Sequence, residues 1–92
     1  MVTALILINT HRGQISAVAE ALVAVDGISE VHSVAGRFDL VAIARVAQNE
    51  DLARIVTDHV RAHEGIAQSE TLIGFRVYSQ HDLDRLFAVG ME

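Results

Sequence analysis

Ser33-Val34-Ala35-Gly36-Arg37-Phe38-Asp39-Leu40-Val41 joins two apolar runs through a Gly-X pair, with an acid directly behind it. Glycine takes the positive φ that opens a two-residue type II′ hairpin, so Val31 to Ala35 and Phe38 to Val46 are expected to pair as antiparallel neighbours. Asp39 then stands just past the turn. Exposed turn amides suit an anion and a carboxylate suits a cation, so the pair has the chemistry to hold a ligand that carries both an acid and an amine. The alternative is a hairpin that needs glycine, with a solvated Asp beside it, since both residues are ordinary turn formers.

Working outward, the chain repeats itself. Asp26-Gly27-Ile28-Ser29-Glu30-Val31-His32-Ser33-Val34 is similar to Glu64-Gly65-Ile66-Ala67-Gln68-Ser69-Glu70-Thr71-Leu72, with the glycines 38 residues apart (65 − 27). Each copy follows a helical pattern. Ile15, Val18, Ala19, Leu22 and Val23 fall at i, i+3, i+4, i+7 and i+8, and Leu52, Ile55, Val56, His59 and Val60 repeat that spacing. Asn49 is expected to cap the second helix, with Glu50 and Asp51 in its first turn, and Gly27 and Gly65 to end the two helices in left-handed caps.

With an apolar first strand from Val2, the order reads strand, helix, strand, strand, helix, strand. This is the α+β, ferredoxin-like βαββαβ arrangement: a four-stranded antiparallel sheet with both helices on one face. Phe38, Leu40, Ala42, Ala44 and Val46 form one side of the third strand, yet Val41 and Ile43 make the other side apolar too, as Leu5, Ile6, Leu7 and Ile8 do in the first. A sheet apolar on both faces is covered twice. The second cover is expected to be the same sheet of a partner subunit, giving a dimeric α+β sandwich or barrel with two-fold symmetry. The last strand is expected over about Ser69 to Tyr78, followed by a short helix over Asp82 to Ala88.

Composition agrees with association. The 92 residues make one domain, residues 1–92, with 80–92 as a C-terminal extension, and 51% of them are hydrophobic. A domain this small buries only about 60–65% of its unfolded surface alone. With no cysteine there is no disulfide frame, thiol nucleophile or thiolate metal site. The apolar N-terminus lacks a basic flank and is too short to span a bilayer, which suggests a cytoplasmic protein without membrane attachment. The net charge is −5, and the seven arginines, at 12, 37, 45, 54, 61, 76 and 85, are scattered. Direct nucleic-acid binding is therefore not expected, because phosphate contacts need a concentrated basic face.

No catalytic constellation emerges. The serines lack a paired His and acid at any motif spacing, and Arg12-Gly13-Gln14 holds a lone glycine, not a phosphate loop. His59 and His63 stand at i, i+4, but no HExxH occurs and His59 lies within the apolar stripe, so a buried or rim histidine is the expectation and no metal or other cofactor is implied. His11, His32 and His81 are solitary. Glu70 and Thr71 occupy, in the second repeat, the place of His32 and Ser33 in the first; they read either as polar partners for a ligand or as a solvated strand end.

The stretch from Gly27 to Val41, with Gly65-Ile66 and Ser69-Glu70-Thr71, resembles the effector domain of the Lrp/AsnC family, also called RAM, over about Val2 to Tyr78. The glycine-X-aromatic-Asp turn and the flanking helix-Gly-Ile pattern carry the resemblance. It implies a regulatory domain that dimerises, assembles dimers into an octamer-like ring and binds amino acids, in regulators whose helix-turn-helix domain reads DNA. Because the first strand begins at Val2, a stand-alone effector module is expected, acting without DNA contact and possessing no enzymatic activity. The resemblance further implies an effector pocket between dimers. Gly36, Arg37 and Phe38 would supply the turn whose backbone meets the ligand carboxylate, Asp39 would pair with its ammonium, and Glu70 and Thr71 would be polar partners at the facing edge. Arg37 is either a bidentate clamp on the carboxylate or the exposed X of the turn. Phe38 is either a wall of the side-chain pocket or a core residue. Two other readings stay open: an oligomerisation partner of a full-length Lrp/AsnC regulator with no ligand of its own, and a small dimeric α+β-barrel enzyme.

Overall fold

The computed structural model describes residues 1–78 and residue 80. Its elements are β1 (Val2–Thr10), α1 (Ile15–Val23), β2 (Ile28–Ser33), β3 (Leu40–Val46), α2 (Asn49–Ile55), a π-helical turn (Val56–Val60) and β4 (Ile66–Gly74). The sheet has the order β2-β3-β1-β4, antiparallel throughout and open, so β2 and β4 are its edges. This is the expected ferredoxin-like α+β fold.

The two-residue period of the strands sorts the sheet into two faces. On one, Ala4, Ile6 and Ile8 of β1 and Leu40, Ala42, Ala44 and Val46 of β3 are buried beneath Val18 and Leu22 of α1 and Leu52, Ile55 and Val60 of the second helical segment. On the other, Ile43, Leu5 and Leu72 lie in one cross-strand row and Val41, Leu7 and Glu70 in the next. No helix among the described residues covers this second face: Leu5 is 38% and Leu72 46% exposed.

The repeat is structural as well as sequential. Gly27 carbonyl accepts the Arg45 N–H at the end of β3, and Gly65 carbonyl accepts the His11 N–H just past β1, both at 2.8 Å. Of the two glycines only Gly27 has a left-handed φ, +97°, and it stands four residues beyond α1 rather than directly on its end. Gly65 is therefore not a left-handed cap. It is small for a different reason: a Cβ there would sit 2.8 Å from Val18 Cγ2. The helix end before it is closed by His63, whose Nδ1 accepts the Gly65 N–H at 2.9 Å.

Three further expectations shift. Gln48, not Asn49, caps α2, and the Asp51 carboxylate accepts the Gln48 N–H at 3.2 Å. The apolar stripe of the second helix breaks at His59, because Arg61 N–H donates to Val56 carbonyl at 2.8 Å, an i to i−5 bond that inserts one residue into the turn. Val60 is thereby fully buried and His59 exposed. Finally, β4 runs from Ile66 to Gly74 rather than from Ser69 to Tyr78. Its last pair is Thr3 with Gly74, one residue short of the start of β1, beyond which the strand has nothing to pair with. The helix expected over Asp82 to Ala88 lies outside the described residues. No helix among the described residues is long and apolar enough to cross a membrane.

Candidate ligand site at the β2–β3 hairpin

The hairpin has the expected register and a wider tip. Ser33 pairs with Leu40 and His32 with Val41, which centres the connection on Gly36-Arg37. The ladder stops two rungs early. Its last bond runs from Val34 N–H to Asp39 carbonyl at 3.0 Å, and Ala35 to Phe38 form an open loop instead of a type II′ turn. Gly36 has φ +132°, beyond the range near +60° that a type II′ turn requires, and nothing lies within 4 Å of the point where its Cβ would be.

Asp39 is held at this corner from two sides. Its N–H donates to Ile8 carbonyl at 2.9 Å, extending the β1–β3 ladder. Its Oδ2 accepts the Thr10 N–H at 2.9 Å and the Thr10 hydroxyl at 3.4 Å, just past the bulge where β1 shifts register against β4. Asp39 is thus a half-buried carboxylate with one oxygen held by the end of β1. Its Oδ1 has no hydrogen-bond partner among the described residues. Thr10 is the neighbour of Asp39 that sequence reasoning missed; the change from apolar to polar at Asn9-Thr10 was the available signal.

The Arg37 guanidinium lies 6.0 Å from the centre of the Phe38 ring, within cation–π range, and forms no ion pair with the other described residues. Phe38 is half-buried at the loop base, absent from the core cluster. Gly36, Arg37, Phe38 and Asp39 therefore form one corner.

Glu70 and Thr71 do not join it within one chain. As successive strand residues they point to opposite faces: Glu70 pairs with Leu7 on the uncovered face, and Thr71 pairs with Ile6 on the helix face. Glu70 shares a face with Asp39 but sits two strands across and two residues along, about 10 Å and about 7 Å respectively. The neighbouring polar groups on the uncovered face belong to β2 and β3. Glu30 accepts from His32 at 2.6 Å and lies 3.9 Å from Arg45, which donates to Ser29 Oγ at 2.7 Å. At the far end of β3 from the hairpin, Asp26, Arg45, Asp51, Arg54 and His59 line a polar cleft of about 370 Å³. Among the described residues no three His, Asp or Glu side chains converge as metal ligands.

The model of the Lrp/AsnC ligand binding domain matches residues 3–84. The chain belongs to that family. An HTH-type transcriptional regulator of Pyrococcus horikoshii is 40% identical to this Lrp/AsnC domain over 58 residues, which are 63% of this chain and 39% of that protein. The chain thus spans well under half the length of the regulators it matches. The crystal structure of TTHA0845 from Thermus thermophilus superposes with a TM-score of 0.82 at 38% identity, covering 87% of this chain and all of that one. A transcriptional regulator from Neisseria meningitidis, NMB0573, solved as a complex with L-Met, shares the fold alone: 12% identity, TM-score 0.77, 86% of this chain and 53% of that one. The family is regulatory, so the enzyme reading falls and the chain is a ligand-binding domain of the Lrp/AsnC class.

Proposed function

We propose that this Lrp/AsnC domain, as a single unit over residues 1–92 with 80–92 as its extension, is a cytoplasmic amino-acid-sensing module that acts without touching DNA. The observation that carries the reading is the Asp39 corner. Thr10 fixes one carboxylate oxygen and leaves Oδ1 for a ligand ammonium, while the open loop at Gly36 has room for a ligand carboxylate against its backbone. Arg37 and Phe38 would flank the ligand from the same loop. Glu70 and Thr71 would reach it from a facing subunit, since their own chain holds them away from the corner. The L-Met complex of the Neisseria regulator supports an amino acid as the effector class.

Such a pocket needs assembly. The uncovered row Leu5, Ile43 and Leu72 supports a homodimer through sheet faces, and dimers stacked at their hairpins would form the octamer-like ring. Ligand binding and oligomer size are then linked, each favouring the other. The test is thermal unfolding with each of the twenty amino acids in excess, with mass followed by light scattering. A rise in midpoint for a few related amino acids, lost in Asp39→Asn, is the expected result. No rise with any of them on an intact oligomer counts against it.

The same uncovered face favours a second reading, in which the chain pairs with a full-length Lrp/AsnC regulator and has no ligand of its own. Mixed oligomers in co-purification without any thermal response to amino acids would select it.

A further inference from the structure

The uncovered face of the sheet is built in rows that change character from centre to rim. One row runs His32, Val41, Leu7, Glu70 across β2, β3, β1 and β4, and the next runs Glu30, Ile43, Leu5, Leu72. The two inner strands contribute apolar side chains to both rows, whereas His32 and Glu30 on one edge and Glu70 on the other are polar and exposed. An apolar centre inside a polar rim is the anatomy of a protein–protein contact. The two edges differ in their charge partners. At the β2 edge one oxygen of Glu30 is held by His32 at 2.6 Å, and the other lies 3.9 Å from Arg45. At the β4 edge Glu70 has no ion pair among the described residues.

Given the sheet-face dimer proposed above, we infer that its two-fold axis runs along the strands, between β3 and β1, so that Glu70 meets the partner subunit's His32 at both rims. Rotation about such an axis exchanges the two edges, lays β4 over β2 of the other subunit and keeps each row on itself. Val41 then faces the partner subunit's Leu7 and Ile43 faces the partner subunit's Leu5, so apolar meets apolar through the centre. An axis across the strands lays β4 on β4 instead. It sets Glu70 against its own copy or against Leu72 and leaves the carboxylate without a cation. Stacked sheets lie about 10 Å apart, a gap that an imidazole and a glutamate side chain bridge from the two sides. A rim pair of this kind fixes orientation more than it adds affinity. The contact also bears on the ligand site. His32 stands opposite Val41, two residues from Asp39, so the partner subunit's Glu70 arrives beside the Asp39 hairpin, although its own hairpin lies out of reach across the sheet.

The chain has no native cysteine, so single introduced thiols report the arrangement directly. His32→Cys and Glu70→Cys change exposed edge residues and leave the apolar centre intact. After subunit exchange, an equimolar mixture of the two variants, treated with a short bismaleimide, is expected to form covalent dimers at least about tenfold faster than either variant alone, because docking raises the local concentration of unlike thiols. Adding Leu5→Arg to both variants is expected to abolish the link and to lower the mass in light scattering. Like thiols linking as fast as unlike ones, or no link in an assembly that Leu5→Arg dissociates, would overturn the axis and leave the sheet-face dimer standing. A link that survives the fall in mass would overturn the axis as well, since the thiols then meet across a different contact. A mass that Leu5→Arg leaves unchanged would overturn the sheet-face dimer and the axis together.

Discussion

Thr10 N–H donates to Asp39 Oδ2 at 2.9 Å across 29 residues of sequence, joining the end of β1 to the start of β3. One carboxylate oxygen therefore serves the fold, while the other has no hydrogen-bond partner among the described residues. Stability and the proposed ligand contact at this position are separable by the choice of substitution.

Asp39→Ala strands the Thr10 amide beside a half-buried corner. Losing a hydrogen bond to a charged group costs about 1.5–3 kcal/mol, which lowers the melting midpoint of a domain this size by roughly 4–8 °C per kcal/mol. Asp39→Asn keeps an oxygen acceptor for the amide and is expected to melt within a few degrees of the parent. Differential scanning calorimetry of the two variants checks the order.

Gly27 and Gly36 both have a left-handed φ, but their surroundings differ. At Gly27 a Cβ would meet Ile55 Cδ1 and Val46 Cγ1 at 2.8 Å each, so Gly27→Ala combines backbone strain with overpacking. Gly36→Ala has open space and incurs the backbone term alone, about 1–3 kcal/mol. Overpacking adds about 1–3 kcal/mol at Gly27 only, so urea unfolding should show Gly27→Ala the more destabilised of the two.

Leu5 and Ile6 are neighbours in β1 that face opposite ways. Ile6 is fully buried, and Ile6→Ala is expected to cost about 2–5 kcal/mol in urea unfolding. Leu5 stands in the uncovered row with Ile43 and Leu72, so Leu5→Arg is expected to leave the subunit folded by circular dichroism while light scattering reports a smaller assembly. An unchanged mass would remove this face from the proposed dimer interface.

Much of the fold was legible because its signals are local. The alternation of Ala4, Ile6, Ile8 against Leu5, Leu7 and the spacing of Val18 and Leu22 name strand, helix and core without tertiary information. The hairpin register was legible as well, since it is centred on Gly36-Arg37. Where the ladder ends was not, because Asp39 is held by Ile8 and Thr10, partners 31 and 29 positions away. The π turn was hidden for a similar reason. Helical spacing places His59 and Val60 together on the stripe, and packing against the sheet admits only Val60. The opposite orientations of Glu70 and Thr71 follow from the strand period alone. What one chain cannot encode locally is which of the two would meet a ligand in the proposed pocket between subunits.

The most direct measurement is a calorimetric titration of the amino acid that raises the melting midpoint most, into the parent and into Asp39→Asn, with oligomer mass followed in parallel. The expected result is saturable binding by the parent, at least about tenfold weaker binding by the variant, and melting of the unliganded variant within a few degrees of the parent. Equal affinity in the two proteins, both folded and of equal mass, would contradict the assignment of Asp39 to the ligand ammonium.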